Sequence, residues 1–207
     1  MNHLTAIILD DALTALCSID PDFAQIHARL GVPPMWEREQ GFPTLVHIIL
    51  EQQVSLASAR AAFTKLEQAA GQVTPQVFLQ FNDAALKQMG FSHQKAGYCR
   101  GLARSVLAGE LNLEALPTLD DDQARDVLLK VKGIGPWTAD IYLLMSLLRP
   151  DVWPAGDLAL AVAYQKLKKL PTRPSAPELS AVAENWRPWR AVAARLLWHF
   201  YLNPSKD

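Results

Sequence analysis

Apolar side chains recur at helical spacing in nearly every long segment of this chain, and this periodicity is the strongest limit on its fold. The first such segment is expected to be a helix that opens after Pro43 and is interrupted by the polar stretch from Glu51 to Gln53. Its apolar face would consist of Leu45, Ile48, Ile49 and Leu56. Convincing alternation of apolar and polar residues, which marks half-buried strands, does not occur in the sequence. The sequence therefore predicts an all-α protein.

Further helical faces follow the same spacing. They are Ala62 with Phe63 and Leu66, Val127 with Leu128 and Val131, Ile141 with Leu144 and Leu148, and Ala194 with Leu197 and Trp198. Glycine and proline signals divide the chain into pieces of helix length. These signals fall at residues 31–34, 71–75, 90, 117, 133–136, 150–156 and 171–177.

Composition limits the partners that the chain can attract. The 207 residues, half of them hydrophobic, suffice for one substantial core or for two small lobes. With 20 basic and 21 acidic residues the formal net charge is -1, so the protein as a whole does not attract phosphate. Any contact with nucleic acid must therefore be local.

Cysteine and histidine usage argues against metal chemistry. Only Cys17 and Cys99 occur, which excludes a four-cysteine iron-sulfur cluster and fits a reducing cytoplasm. The five histidines show no metal-ligand spacing, and the zinc pattern of nucleobase deaminases is missing. The chain start lacks the basic segment of an export signal, and no membrane span is indicated. We therefore expect a cytoplasmic protein that requires no cofactor and has no membrane partner.

A turn with two glycines joins two apolar-periodic segments between Leu128 and Ala139. Gly133 and Gly135 permit positive φ values and carry no side chain, so peptide N–H groups can approach a phosphate closely. Pro136 suits the first position of the second helix, whose N-terminus presents N–H groups and a positive dipole end to the same anion. Such a turn would grip a DNA backbone without reading its sequence. The glycine spacing alone is equally compatible with an ordinary helix corner capped by glycine.

Asp157 directly precedes a segment with apolar residues at Leu160, Tyr164 and Leu167, so we expect it at the N-terminus of a helix. As an N-cap, its carboxylate would accept N–H bonds from the first turn and stabilise the helix by about 1 kcal/mol. The same geometry keeps a carboxylate ionised and able to stabilise positive charge that develops on a sugar. Capping and catalysis are compatible interpretations, and both stay open.

The hairpin as a whole resembles the helix-hairpin-helix of the base-excision DNA glycosylase superfamily, in which the pattern Leu-x-x-Val-x-Gly-Ile-Gly-x-x-Thr-Ala is typical. The residues that match this pattern are Leu128, Val131, Gly133, Ile134, Gly135, Thr138 and Ala139. The resemblance runs from about Pro21 to Trp198 and is closest to the 3-methyladenine DNA glycosylase II branch. It implies a monofunctional glycosylase that hydrolyses the N-glycosidic bond of alkylated purines and acts as a monomer on double-stranded DNA containing a damaged base.

The resemblance also implies two helical lobes with an active-site cleft between them, formed by residues 41–150 and by residues 1–40 with 151–207. The catalytic carboxylate in that cleft would be Asp157. The implied DNA contacts of the hairpin are Lys132, Gly133, Ile134, Gly135, Trp137 and Thr138. Members of the family often hold a monovalent cation on hairpin carbonyls, which implies a sodium or potassium ion at Val131 and Ile134.

The residues 52–55, Gln-Gln-Val-Ser, resemble the family's Gln-x-Val-Ser element, whose second residue fills the space left by an everted nucleotide. This resemblance makes Gln53 the candidate wedge and leaves Gln52 as the alternative. Gln53 could also be a solvent-facing glutamine on a helix.

Aromatic rings could stack on an electron-poor alkylated base. The candidates for this base pocket are Trp36, Phe42, Trp137, Tyr142 and Trp153. Trp137 and Trp153 are favoured because they flank the hairpin and Asp157 motifs. The segment 186–190 resembles the closing segment of the alkylbase branch, and its aromatic rings are expected in the core. Ser92 is expected to cap a helix.

The bifunctional branch of the family carries a nucleophilic lysine between the second glycine of the hairpin and its threonine. Pro136 and Trp137 occupy that interval, so we expect no lyase step. Lys130 and Lys132 precede the turn and are expected to meet phosphate or solvent. Two alternatives stay open, a glycosylase for oxidised or mismatched bases and a DNA-binding module in which Asp157 is only a cap.

Overall fold

The computed structural model describes residues 3–204, and every regular element within this range is a helix. Residues 1–2 and 205–207, which belong to one of the expected lobes, lie outside the described residues. The α-helices are α1 (Ala6–Ile19), α2 (Pro21–Leu30), α3 (Phe42–Glu51), α4 (Leu56–Ala70), α5 (Pro75–Phe78), α6 (Asp83–Met89), α7 (His93–Leu107), α8 (Asp121–Leu129), α9 (Pro136–Met145), α10 (Leu158–Leu167), α11 (Ala176–Ala183) and α12 (Arg190–Leu202). Short 3₁₀ helices span Leu113–Thr118 and Glu184–Trp186. The predicted all-α class is confirmed.

The chain divides into two compact units. The first unit combines Met1–Glu37 with Leu147–Asp207, and the second spans Arg38–Ser146. The expected lobes had their boundaries at residues 41 and 150, a few positions further along the chain.

The first unit is organised around α12. This helix packs against α1, α2 and α10, and every residue from Ala191 to Trp198 is buried. Such continuous burial includes Arg195, whose Nε donates to the carbonyl oxygen of Met35 at 3.0 Å. Burial lowers the pKa of this guanidinium to about 10. The predicted apolar face of Ala194, Leu197 and Trp198 therefore belongs to a helix that is buried on all sides.

The second unit is organised around α3, which packs against α4, α7 and α9. The hairpin helices α8 and α9 also pack against each other, and α9 is buried from Thr138 to Met145. Burial of an aspartate within α9 is offset by an ion pair, in which Arg125 Nε lies 2.7 Å from Asp140 Oδ1. Between them, α3 and α9 fix both the hairpin and the loop that follows α3.

Several helices begin at a side chain that accepts an N–H group of the first turn. Ser92 accepts the N–H of Lys95 at 3.2 Å and caps α7, as the sequence predicts. Other caps of this kind are Thr5, Asp20, Ser55, Thr74, Asn82, Asp120 and Ser175. Each such cap stabilises its helix by about 1 kcal/mol.

Three residues placed by periodicity on helical faces lie outside those helices. Leu56 is not on α3, because α3 ends at Glu51 and Leu56 begins α4 with 62% of its surface exposed. Val131 follows the end of α8, and Leu148 follows the end of α9 with a φ of 52°. Of the three, only Val131 is buried, at 8% exposed, whereas Leu148 is half-buried and Leu56 is exposed. Apolar spacing alone does not report where a turn ends a helix, so it overestimated the length of these helices. No helix in residues 3–204 is long and apolar enough to cross a membrane.

Candidate active site

The hairpin uses its two glycines differently. Gly133 has a φ of +98°, and a Cβ at this position would overlap the ring of Tyr98, so both the backbone and the packing require glycine. Gly135 is extended, with φ −94° and ψ 178°, so it does not use the positive φ that glycine permits. A Cβ at Gly135 would meet nothing within 4 Å. Packing within the fold therefore does not require glycine at position 135. A group that approaches the turn from outside would require it, because a side chain would be in the way.

The N-terminus of α9 is open to an anion. Gly135 is its N-cap and supplies no side-chain hydrogen bond to the first turn, and Pro136 occupies the first helical position as predicted. No acidic residue lies in this first turn. The positive end of the helix dipole is thus not neutralised by a neighbouring carboxylate of the same turn.

The predicted DNA contacts of the hairpin differ in exposure. Lys132 is exposed, and Gly133, Gly135 and Trp137 are partly exposed. The side chains of Ile134 and Thr138 are buried, 4% and 2% exposed, so a contact with DNA would have to use their backbone groups.

The structure separates the two wedge candidates. The side chain of Gln52 is anchored, since its Nε2 donates to the carbonyl oxygen of Gly133 and to Oγ1 of Thr138, both at 2.9 Å. Gln53 is exposed and lies in a turn with a φ of +57°, so it is not a helical glutamine. A positive φ is uncommon for glutamine and marks a position where local strain accompanies function in many proteins.

Lys95 of α7, to which the sequence pattern assigns no role, contacts the loop that follows α3. Its Nζ donates to the carbonyl oxygens of Leu50 and Gln52, both at 2.7 Å. These carbonyls lie at the C-terminal end of α3, where backbone acceptors lack helical partners. Partial burial lowers the pKa of Lys95.

In the first unit, Asp157 is the N-cap of α10, as predicted. Its Oδ1 accepts the N–H of Leu160 at 2.9 Å and the indole N–H of Trp198 at 3.2 Å. These two N–H donors hold the carboxylate in place at the helix N-terminus. Asp157 is also partly exposed, so it can be reached from solvent.

Trp198 is the second residue that sequence reasoning did not assign to the site. Its ring meets that of Trp36 edge to face, with 6.1 Å between ring centroids. Trp36 has a φ of +47° and is partly exposed. The structure therefore brings Trp36, one of the predicted pocket residues, to the aromatic ring that holds Asp157.

Trp153 lines a cavity of about 170 Å³ that Asp157 also lines. The side chain of Trp153 is 6% exposed, and its ring lies 5.5 Å from that of Trp186. Trp186 is buried, as expected for the closing segment, whereas Trp189 of the same segment is partly exposed. Leu158 and Arg173 are further residues of the cavity wall, so the space beside the carboxylate is part apolar and part basic.

The other aromatic candidates occupy the core of the second unit. Tyr142 is fully buried, and its hydroxyl accepts the N–H of Gly41 at 2.8 Å. Burial raises the pKa of Tyr142. Phe42 is buried as well and packs edge to face on Phe78. For these two residues the structure shows a packing role.

The implied cation site would use the carbonyl oxygens of Val131 and Ile134 in the hairpin turn. The oxygen of Val131 accepts the N–H of Ile134 at 3.0 Å and keeps a second lone pair. Uncharged carbonyl oxygens are hard donors of the kind that suits an alkali cation. In residues 3–204 there is no cluster of three or more His, Cys, Asp or Glu side chains that could hold a metal ion.

Comparison with known proteins identifies the family of this chain. Residues 46–188 match the family model described as the HhH-GPD superfamily base excision DNA repair protein. DNA-3-methyladenine glycosylase 1 of Schizosaccharomyces pombe is 29% identical over 166 residues, which cover 78% of this chain and 73% of that protein. DNA-3-methyladenine glycosylase 2 of Escherichia coli is 31% identical over 172 residues, covering 78% of this chain and 56% of that protein.

A solved structure shows the same fold. The S. pombe 3-methyladenine DNA glycosylase in complex with abasic DNA superimposes with a TM-score of 0.88 and 26% identity, covering 93% of this chain and 97% of that chain. The matched range of 46–188 includes residues 52–55, the hairpin and Asp157. This chain belongs to the HhH-GPD superfamily of base excision DNA repair proteins.

Proposed function

We propose that this protein is a monofunctional DNA glycosylase that hydrolyses the N-glycosidic bond of alkylated purines, such as 3-methyladenine, in base excision repair. Relatives named as DNA-3-methyladenine glycosylases support the substrate class. The observation that carries the catalytic assignment is the environment of Asp157, a partly exposed carboxylate at a helix N-terminus whose Oδ1 accepts two N–H groups.

Hydrolysis of the glycosidic bond requires a negatively charged group near the sugar. When the C–N bond breaks, the base leaves with the bonding electron pair and positive charge develops on the sugar. Asp157 stabilises that charge electrostatically and accepts the proton of the water that attacks the sugar. An alkylated purine is a good leaving group because alkylation can already make it cationic. The reaction therefore requires no acid beside the base and no redox cofactor.

The hairpin supplies the grip on duplex DNA. The space beyond Gly135 and the uncapped N-terminus of α9 together suit a phosphate group. The exposed side chain of Lys132 adds positive charge near this turn. Because these features are local, a net charge of -1 is compatible with DNA binding.

Gln53 is the residue that we assign as the wedge. Gln52 is committed to the hairpin through its amide, whereas Gln53 projects from an exposed turn next to Val54, which is 47% exposed. An amide with an apolar neighbour suits the space that an everted nucleotide leaves in a duplex, where it can pack and form hydrogen bonds with the orphan base.

We also propose that the enzyme has no lyase activity. Trp137 stands where the bifunctional branch would carry its nucleophilic lysine, and an indole cannot form a Schiff base. The exposed Lys130 and Lys132 lie before the turn.

A bound alkali cation at the hairpin is a further proposal. A sodium or potassium ion held by the carbonyl oxygens of Val131 and Ile134 would add positive charge beside the phosphate. Exchange of alkali cations for a bulky organic cation at equal ionic strength should then weaken duplex binding. We place the enzyme in the cytoplasm, in keeping with its free thiols at Cys17 and Cys99. We also propose that it acts as a monomer.

The experiment that tests the function is an excision panel on alkylated, oxidised and mismatched duplexes, with the wild type and Asp157→Asn. Asparagine keeps an oxygen that can cap α10 but lacks the negative charge. We expect wild-type excision of alkylated purines, and a loss of about 10²-fold or more in the variant, with binding to an abasic duplex retained. Excision confined to oxidised or mismatched bases would overturn the substrate class. Unchanged excision by Asp157→Asn would overturn the mechanism.

A further inference from the structure

Lys95 ties the wedge loop, defined as residues 52–55, to α7. Its ammonium donates to the carbonyl oxygens of Leu50 and Gln52 at 2.7 Å each. A cation at the C-terminal end of α3 is also stabilised by the negative end of the helix dipole. The carbonyl of Gln52 directly precedes Gln53 in the chain, so Lys95 fixes the backbone from which Gln53 projects.

Gln52 ties the same loop to the hairpin. Its amide donates to the carbonyl oxygen of Gly133 in the turn and to Oγ1 of Thr138 in α9. Thr138 is 2% exposed, so the amide reaches into the interior of the second unit and does not compete with water there. One side chain thus joins the wedge loop to both parts of the hairpin.

A third contact closes the arrangement. Tyr98 lies one helical turn after Lys95 on α7, and its ring fills the space beside Gly133. Helix α7 therefore contacts the wedge loop through Lys95 and the hairpin through Tyr98, while Gln52 connects loop and hairpin directly. The three contacts join α7, the wedge loop and the hairpin in pairs, so none of these three segments can move independently of the other two.

We propose that Lys95 and Gln52 are positioning residues, which hold Gln53 at a fixed place relative to the hairpin so that the wedge and the phosphate grip engage DNA as one rigid element. This proposal rests on the wedge role of Gln53 and on DNA binding by the hairpin. Neither positioning residue needs to touch DNA. The benefit is preorganisation, because a loop that is already ordered loses less conformational entropy when it enters the duplex.

The test measures wedge insertion separately from base release. A duplex with a tetrahydrofuran abasic analogue opposite 2-aminopurine should change in fluorescence when Gln53 enters it, even if no base is excised. We expect Gln53→Ala and Lys95→Met each to remove most of this fluorescence change. Lys95→Arg should restore part of it, because arginine keeps a cation and N–H donors. Lys87→Met, an exposed lysine of the same unit, serves as the matched control and should behave as the wild type.

A double-mutant cycle distinguishes positioning from general destabilisation. Lys95→Met should lower the single-turnover excision rate about tenfold, and in the Gln53→Ala background it should lower the rate no further. Independent, multiplying losses would overturn the proposal, as would a full fluorescence change in folded Lys95→Met. If Lys95→Met does not fold, Gln52→Glu repeats the test, because glutamate has the same size and no donor. Normal insertion without any excision would instead contradict the proposed function and leave the positioning role standing.

Discussion

The indole N–H of Trp198 donates to Oδ1 of Asp157 at 3.2 Å, so a residue of α12 holds the carboxylate at the start of α10. Trp198 is 8% exposed, and a hydrogen bond shielded from solvent is electrostatically stronger than one in water. The N–H of Leu160 reaches the same oxygen. Both donors constrain the direction in which the carboxylate points.

Trp198→Phe should slow base release while DNA binding is retained. The substitution keeps an aromatic ring and removes the N–H, and a hydrogen bond to a charged group contributes about 1.5 to 3 kcal/mol. We therefore expect the single-turnover excision rate to fall about tenfold or more. The affinity for an abasic duplex should change little.

Trp186→Phe is the matched control, because it removes the same atoms from another buried tryptophan of the first unit. It should lower the free energy of unfolding to a similar degree and leave excision nearly unchanged. Equal losses of activity in both variants would mean that the Trp198 hydrogen bond has no particular role.

Alanine substitution should affect stability strongly at one hairpin glycine and very little at the other. Gly133→Ala requires a residue with a Cβ at φ +98° and against Tyr98, so it should lower the free energy of unfolding by about 2 kcal/mol or more. Gly135→Ala should change that free energy by less than about 0.5 kcal/mol, since its φ is −94° and its surroundings are open. Urea unfolding of both variants measures these changes.

Duplex affinity completes the comparison. Gly135→Ala should weaken binding to undamaged DNA despite its normal stability, because the methyl group would occupy space that we assign to a phosphate. Wild-type affinity in this variant would show that the phosphate does not approach Gly135.

Borohydride should not trap a covalent complex between this enzyme and DNA. A Schiff base requires an amine at the sugar, and Trp137 replaces the lysine that would provide it. The measurement is denaturing electrophoresis after incubation with damaged duplex and borohydride, with a glycosylase that carries the hairpin lysine as the positive control. A trapped adduct would identify another lysine, with Lys132 the first to replace.

Stability should fall as the solution is acidified from about pH 7.5 to about pH 5.5. Burial lowers the pKa of His47 and of His199 below the ordinary value of 6.5. The unfolded chain then binds more protons than the fold in this range, so the free energy of unfolding decreases with falling pH. The direction for His47 holds although Glu51 opposes it, because burial is the larger cause.

His47→Gln checks the assignment, since it removes the titrating group at one of the two positions. The slope of unfolding free energy against pH in this range should become shallower. An unchanged slope would place the effect at other groups.

Features formed by neighbours in the chain could be predicted from the sequence. The hairpin follows from a short string with glycine and proline at fixed positions, and the cap at Asp157 joins residues 157 and 160. Helical periodicity gave the correct fold class for the same reason. It failed at Leu56, Val131 and Leu148, where the apolar spacing continues beyond the end of a helix.

Features formed by distant residues could not be predicted in this way. Gln52 and Thr138 are separated by 86 positions, and Trp198 and Asp157 by 41. No local pattern in the sequence reports such pairs, so Trp198 and Lys95 acquired a role only from the fold. The same limit explains why Tyr142 was proposed as a pocket residue, because burial on α9 depends on which elements cover it.

Because Asp157 caps α10, one substitution can remove the proposed activity and leave the stability of α10 intact. Asparagine replaces one carboxylate oxygen by an NH2 group. An asparagine at this position retains the oxygen that accepts the N–H groups of Leu160 and Trp198, so the folded protein should persist. A cell that makes this variant would keep normal amounts of a protein that binds damaged DNA and does not excise the damaged base. Such a protein would occupy damaged sites and shield them from other repair enzymes, which a cell that lacks the protein altogether would not experience.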